Sequence, residues 1–148
     1  MKYLSIFALL LICQLGLNAQ KVKESSVPEV VKNNFTRVVP NTTVTEWEME
    51  DGNYEASYKQ NDAVNSIIFT SDGKIVCYKY NIASSELPEA VRNYITTNLA
   101  GKKIGEINRM KTVSGSVSYD VTAGDSDYFF DGVGDFLRIE KETNTGEK

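Results

Sequence analysis

The stretch Val27-Pro28-Glu29-Val30-Val31-Lys32-Asn33 returns sixty positions later as Leu87-Pro88-Glu89-Ala90-Val91-Arg92-Asn93. A recurrence at fixed spacing marks an internal repeat, so the chain is read as two copies of one supersecondary unit. In the first copy Ser26-Val27-Pro28-Glu29 has the S-x-x-E spacing of a capping box, with Pro28 in the first turn, where its missing N–H costs little. Val27, Val30, Val31, Phe35 and Val38 follow at helical spacing and give one apolar stripe that must be buried, and Pro40 and Asn41 end the helix. The second helix carries Leu87, Val91, Tyr94, Ile95 and Leu99 inward and ends at Ala100-Gly101; Glu86 stands where the first copy has Ser26, so its cap is weaker.

Beyond each helix the period changes to two. Thr43, Thr45, Trp47 and Met49 alternate with Val44, Glu46, Glu48 and Glu50; Asp51-Gly52-Asn53 reads as a hairpin turn, and Tyr54, Ala56 and Tyr58 alternate with Glu55, Ser57 and Lys59. A turn at residues 60–62, a strand over 63–70, a type I′ turn at Ser71-Asp72-Gly73-Lys74 and a strand from Ile75 to about Tyr80 complete the unit. The second copy continues the match: Tyr119-Asp120-Val121 corresponds to Tyr54-Glu55-Ala56, and residues 130–137 to 69–76. Its first hairpin is longer and its second shorter, and length differences confined to turns are what a duplication accumulates. The expected fold is α+β: two tandem α-β(4) repeats, residues 20–82 and 83–140, forming an antiparallel sheet of up to eight strands with both helices on one face, followed by a polar tail at 141–148.

Residues 1–19 read as a secretory signal peptide. Lys2 precedes an apolar run of 11 residues from Tyr3 to Cys13, too short to span a bilayer, and the small Ala19 precedes Gln20. The chain is therefore expected to be periplasmic or secreted, with no membrane span. Without the leader its net charge is −5, which argues against nucleic acid as a partner. Only Cys77 survives processing, so no disulfide framework is expected and Cys77 is read as a small buried hydrophobe.

The repeated [VL]-P-E-x-V-[KR]-N helix start, the Tyr-[ED]-[AV] strand and the Phe-x-x-x-Gly turn, behind a signal peptide, resemble the PepSY-like, beta-lactamase-inhibitor-like exported proteins of the Bacteroidota over about residues 27–140. The resemblance implies a tandem α-β(4) scaffold, which in the inhibitor proper binds an enzyme through the open sheet face. No inhibitory loop of this chain can be matched residue by residue.

The chemistry the chain lacks narrows its function. It has no histidine, which removes His-based triads, Cys-His dyads, His-ligated zinc and the usual general base near neutral pH. Gly115-Ser116-Val117-Ser118-Tyr119 places Val117 where a nucleophile elbow needs serine. Glu46, Glu48 and Glu50 read as a solvated row. Asp125, Asp127, Asp131 and Asp135 fail the EF-hand spacing, and Asp131-Gly132-Val133-Gly134-Asp135 reads as a turn. No enzyme activity, cofactor or metal is expected. The positive feature is aromatic: Trp47, Tyr54, Tyr58, Tyr78, Tyr80 and Tyr119 fall in strands, and those facing away from the helices would form a platform for a partner. The sequence reading is an exported, non-enzymatic binding module that takes a protein of the cell envelope on its helix-free sheet face, with small-ligand or cation binding as the alternative.

Overall fold

A computed structural model describes residues 19–141; the expected leader, up to residue 18, and residues 142–148 of the expected polar tail lie outside the described residues. The described residues are α+β, with one nine-stranded antiparallel sheet and two α-helices. Strand β1 (Gln20–Lys21) precedes helix α1 (Glu29–Val38), then β2 (Val44–Glu50), β3 (Asn53–Gln60), β4 (Ala63–Thr70) and β5 (Ile75–Asn81). Helix α2 (Glu89–Asn98) and strands β6 (Ile104–Thr112), β7 (Val117–Ala123), β8 (Ser126–Asp131) and β9 (Phe136–Lys141) repeat that order. Every strand pairs with its neighbours in sequence, from β1 to β9. The ninth strand is β1, whose two residues pair with Met49 and Glu48; the sequence has no alternation there from which to read a strand.

Three local expectations change. Each helix is preceded by a short 3-10 turn, at Glu24–Ser26 and Ser84–Glu86, and begins after Pro28 or Pro88 with no side-chain cap. Ser26 therefore does not cap α1, whereas Glu86, at the position read as weaker, accepts the Ala83 N–H at 2.9 Å. The type I′ geometry, positive φ at two successive residues, occurs at Asp51-Gly52 and Asn61-Asp62. At residues 71–74 only Gly73 has positive φ, so that connection is a longer turn, closed by Gly73 N–H to Thr70 O and Thr70 N–H to Lys74 O. Cys77 is fully buried as expected, but it is not a free thiol in this structure.

Cross-strand partners share a face of the sheet, so the register sorts the side chains. One row runs Trp47, Ala56, Ile67, Tyr78, Lys111; another runs Tyr58, Asn65, Tyr80, Arg109, Tyr119, Phe130, Phe136. This side is called the aromatic face. On it Phe35 of α1 meets the rings of Trp47 and Tyr58 edge-on at 6.2 and 5.6 Å, and Tyr94 of α2 meets Phe130 and Phe136 at 5.1 Å each. Val31 and Phe35 are buried with Trp47, Ala56, Tyr58, Ile67 and Phe69, while Leu87, Val91 and Leu99 are buried with Ile107, Val121, Tyr128 and Phe130.

The offsets read from sequence reappear in the register. Trp47 pairs with Ala56 as Ile107 does with Val121, Tyr54 with Phe69 as Tyr119 with Phe130, and the ladder slips at corresponding places in both halves.

The other side is the polar face, with rows Glu46, Ser57, Ser66, Lys79, Met110 and Asn81, Asn108, Asp120, Phe129, Arg138. It holds a smaller apolar cluster of Ile68, Cys77, Met110 and Phe129. Side chains from five successive strands, β2 to β6, line a single cavity on this side, so the sheet is concave towards its polar face.

Candidate functional site

The curled polar face encloses a bowl of about 340 Å³ floored by β2 to β6, with Glu48, Glu55, Ser57, Ser66, Lys79 and Asn108 among its lining. Alternation delivers each side chain: these residues occupy the strand parity opposite to the tyrosines. The Ser57 and Ser66 hydroxyls lie 3.0 Å apart across the ladder. Lys79 stands at the centre, its ammonium 3.6 Å from Glu55, with both side chains mostly buried. Burial alone would pull the Lys79 pKa down, but the carboxylates of Glu55, Asp120, Glu106 and Glu48 outweigh it and hold the group above its ordinary value. Lys79 is thus a cation whose charged form is favoured by an excess of surrounding acids.

Those acids bear the cost of crowding. Asp120 is buried and its carboxyl is pushed up to about 6, first by desolvation, although Lys79 and an Asn108 amide donating at 3.3 Å oppose the shift. Glu50 is raised to about 7 by burial and by Asp51, Glu55 and Glu140, and Glu48 is raised by burial and by Glu55 and Glu46. The reading of Glu46, Glu48 and Glu50 as a solvated row is corrected: all three are half-buried on the polar face, and Glu46 pairs with Lys21 at 2.7 Å. Among the described residues three buried side-chain atoms lack a hydrogen-bond partner, Glu50 Oε1, Asp120 Oδ1 and Arg138 Nη2, and all three belong to this face.

The expected platform lies elsewhere. Trp47, Tyr54, Tyr58, Tyr78, Tyr80 and Tyr119 all fall on the aromatic face, because they share one strand parity with the residues that meet α1 and α2. Trp47, Tyr58 and Tyr119 are buried in the helix-packed clusters and Tyr54 packs against them. Tyr78 and Tyr80 stay half-exposed and stack on each other at 6.3 Å, with the Arg109 guanidinium 5.4 Å from the Tyr80 ring. Sequence reasoning missed Lys79, Glu55 and Asp120; a common parity of acids, serines and asparagines on successive strands was the available signal.

The aspartates near the last turn have separate roles. Asp131 Oδ1 accepts the N–H groups of Val133, Gly134 and Asp135, which makes the hairpin. Asp127 accepts the Thr122 hydroxyl at 2.7 Å, and Asp125 faces Ser126 and Lys141.

A single antiparallel meander with two helices and an acid-rich concavity defines the described residues as an α+β fold. The chain belongs to the PepSY-like, beta-lactamase-inhibitor-like family, whose profile matches residues 16–77 and 61–138. Solved structures agree in fold. A Bacteroides eggerthii protein described as periplasmic is 19% identical, with 80% of this chain and 91% of that one aligned at a TM-score of 0.68. A DUF2874 family protein from Bacteroides uniformis is 17% identical over 80% and 92% of the two chains, also at 0.68. A BLIP-like protein from Bacteroides fragilis is 17% identical over 82% and 91%, at 0.59. No curated protein matches the chain.

Proposed function

We propose that the protein is an exported, non-enzymatic binding module that holds a protein partner of the cell envelope against the polar face of its sheet. The observation that carries the reading is the acid-rich bowl around Lys79, on the same face of the sheet as the three buried side-chain atoms without hydrogen-bond partners. We read both helices as packed on the aromatic face, supported by the rows that meet Phe35 and Tyr94 continuing across one side, which leaves the polar face to a partner. We read residues 20–82 and 83–140 as tandem repeats, supported by the recurring element order and by the two stretches matching one family profile. Export rests on the leader at 1–19 and is in keeping with similar structures described as periplasmic. No described helix is long and apolar enough to cross a membrane. The acid excess suits a partner that presents a lysine or arginine. Of the expected aromatic contacts, Tyr54, Tyr78 and Tyr80 are only partly buried, and they lie on the opposite face.

Photo-crosslinking in the native envelope tests this. A photoreactive residue at Val64, exposed beside the bowl, should give a protein adduct that Glu106→Lys abolishes, while the same residue at Thr97 of α2 gives none. An adduct from Thr97 and none from Val64 would sink the proposal. The cation-binding reading predicts heat on calorimetric titration with calcium that disappears in Glu55→Gln.

A further inference from the structure

On the aromatic face, β5 and β6 lie between the rows that α1 and α2 cover, and the strip they leave has a different chemistry from the rest of the chain. A cavity of about 480 Å³ is bounded by Asn34 and Arg37 of α1, the turn at Asp72–Lys74, Tyr78 and Val113. Its floor continues through the cross-strand pairs Tyr78 with Lys111 and Tyr80 with Arg109. Arg37, Lys74, Arg109 and Lys111 therefore collect on one strip of a protein whose net charge is −4. Lys74 is engaged by Asp72 at 2.7 Å, whereas Arg37, Arg109 and Lys111 are exposed and form no ion pair among the described residues. Beside them Tyr78 and Tyr80 stack on each other with their planes only 12° apart, an aromatic pair already ordered before binding.

We propose that this strip is a second binding site, independent of the polar face, for an extended peptide segment with acidic residues at alternate positions. Spacing selects that ligand. Arg109 and Lys111 are two residues apart on one strand, so their side chains project from points roughly 6.6 Å apart, and acids at alternate positions of an extended peptide have the same repeat. A single small anion would engage one cation; an extended segment engages Arg109 and Lys111 together while its backbone crosses the tyrosine pair, and Arg37 meets a third acid at the cavity.

The test uses a fluorescein-labelled Glu-Ala-Glu-Ala-Glu peptide and fluorescence anisotropy on the intact chain. Saturable binding at low ionic strength is expected, weakened at least tenfold by Arg109→Gln with Lys111→Gln and weakened by salt. Lys59→Gln with Lys103→Gln removes the same charge from exposed positions elsewhere and should leave the affinity unchanged. All four positions are exposed, so folding is not at issue, and the far-UV circular dichroism of each variant checks it. No saturable binding, or equal losses in the two double variants, would overturn the proposal.

Discussion

The Lys79 ammonium and the Glu55 carboxylate lie 3.6 Å apart on the floor of the polar face, two strands from one another, with 21% and 11% of their side chains exposed. Removing one partner of such a pair strands the other among like charges. Lys79→Met leaves Glu55, Asp120 and Glu48 without their shared cation and should lower stability by about 2–3 kcal/mol, less than a fully dry pair because water reaches the bowl. Glu55→Gln should cost less, since Lys79 keeps Asp120, Glu106 and Glu48. Equilibrium urea unfolding of both variants measures the difference, and equal losses would contradict it.

The raised carboxyls of Glu50 and Asp120 make stability depend on pH in a defined direction. In the folded state they titrate at about 7 and about 6, against ordinary values of 4.5 and 3.8. Between those limits the native chain holds protons that the unfolded chain has lost, so their contribution is fully present below about pH 4 and is lost as pH rises through 6 to 7. At about 1.4 kcal/mol per pH unit between the folded and ordinary values, buried Asp120 accounts for about 3 kcal/mol and half-open Glu50, after solvent screening, for about 1 kcal/mol more. Melting temperature should therefore climb on acidification from pH 7.5 towards pH 5. Glu50→Gln with Asp120→Asn should flatten that slope, and an unchanged slope would show that other groups set it.

Gly73 and Gly134 occupy matching turns, and both touch a helix. At φ +83° a Cβ on Gly73 would sit 2.7 Å from Asn34 Nδ2 and 3.1 Å from the Val30 carbonyl; at φ +99° one on Gly134 would sit 2.9 Å from Ala90 Cβ. Gly73→Ala and Gly134→Ala should each destabilise by about 2–4 kcal/mol, combining left-handed strain with displacement of the helix. Gly52→Ala, at φ +78° with nothing within 4 Å, should cost only about 1 kcal/mol. Thermal denaturation ranks the three.

Trp47 is the sole tryptophan and is buried against Phe35. Phe35→Ala should cost about 3–5 kcal/mol and shift native Trp47 fluorescence to the red, because the cavity opens beside the indole. Val30→Ala on the same helix, 44% exposed, should alter neither stability by more than about 0.5 kcal/mol nor the emission.

The period-2 and helical patterns were legible because burial imposes them directly: β4 spans residues 63–70 as expected, and the apolar stripes of both helices pack at the sheet except for Val30, which lies exposed at the edge of its stripe. The face of the tyrosines was not legible. Trp47, Tyr54 and Tyr58 alternate with acids and serines, which shows that two sides differ but not which one a helix takes. Aromatic residues satisfy a helix-packed face as well as a partner-facing one. Lys79 looked like any strand lysine, since its significance comes from Glu55 on β3 and Asp120 on β7, far away in sequence and brought near only by register. Type I′ geometry at Asn61-Asp62 carried no glycine to announce it.

The seam between the two halves is the β5–β6 ladder, from Cys77 with Thr112 to Asn81 with Asn108, and it is hydrogen-bonded like the other ladders of the sheet. Since no strand is inserted between chain neighbours, the order β1 to β9 requires no threading and no distant partner to wait for. Such a sheet can gain or lose a whole helix-and-four-strand module at its ends while the strands that remain keep the same neighbours.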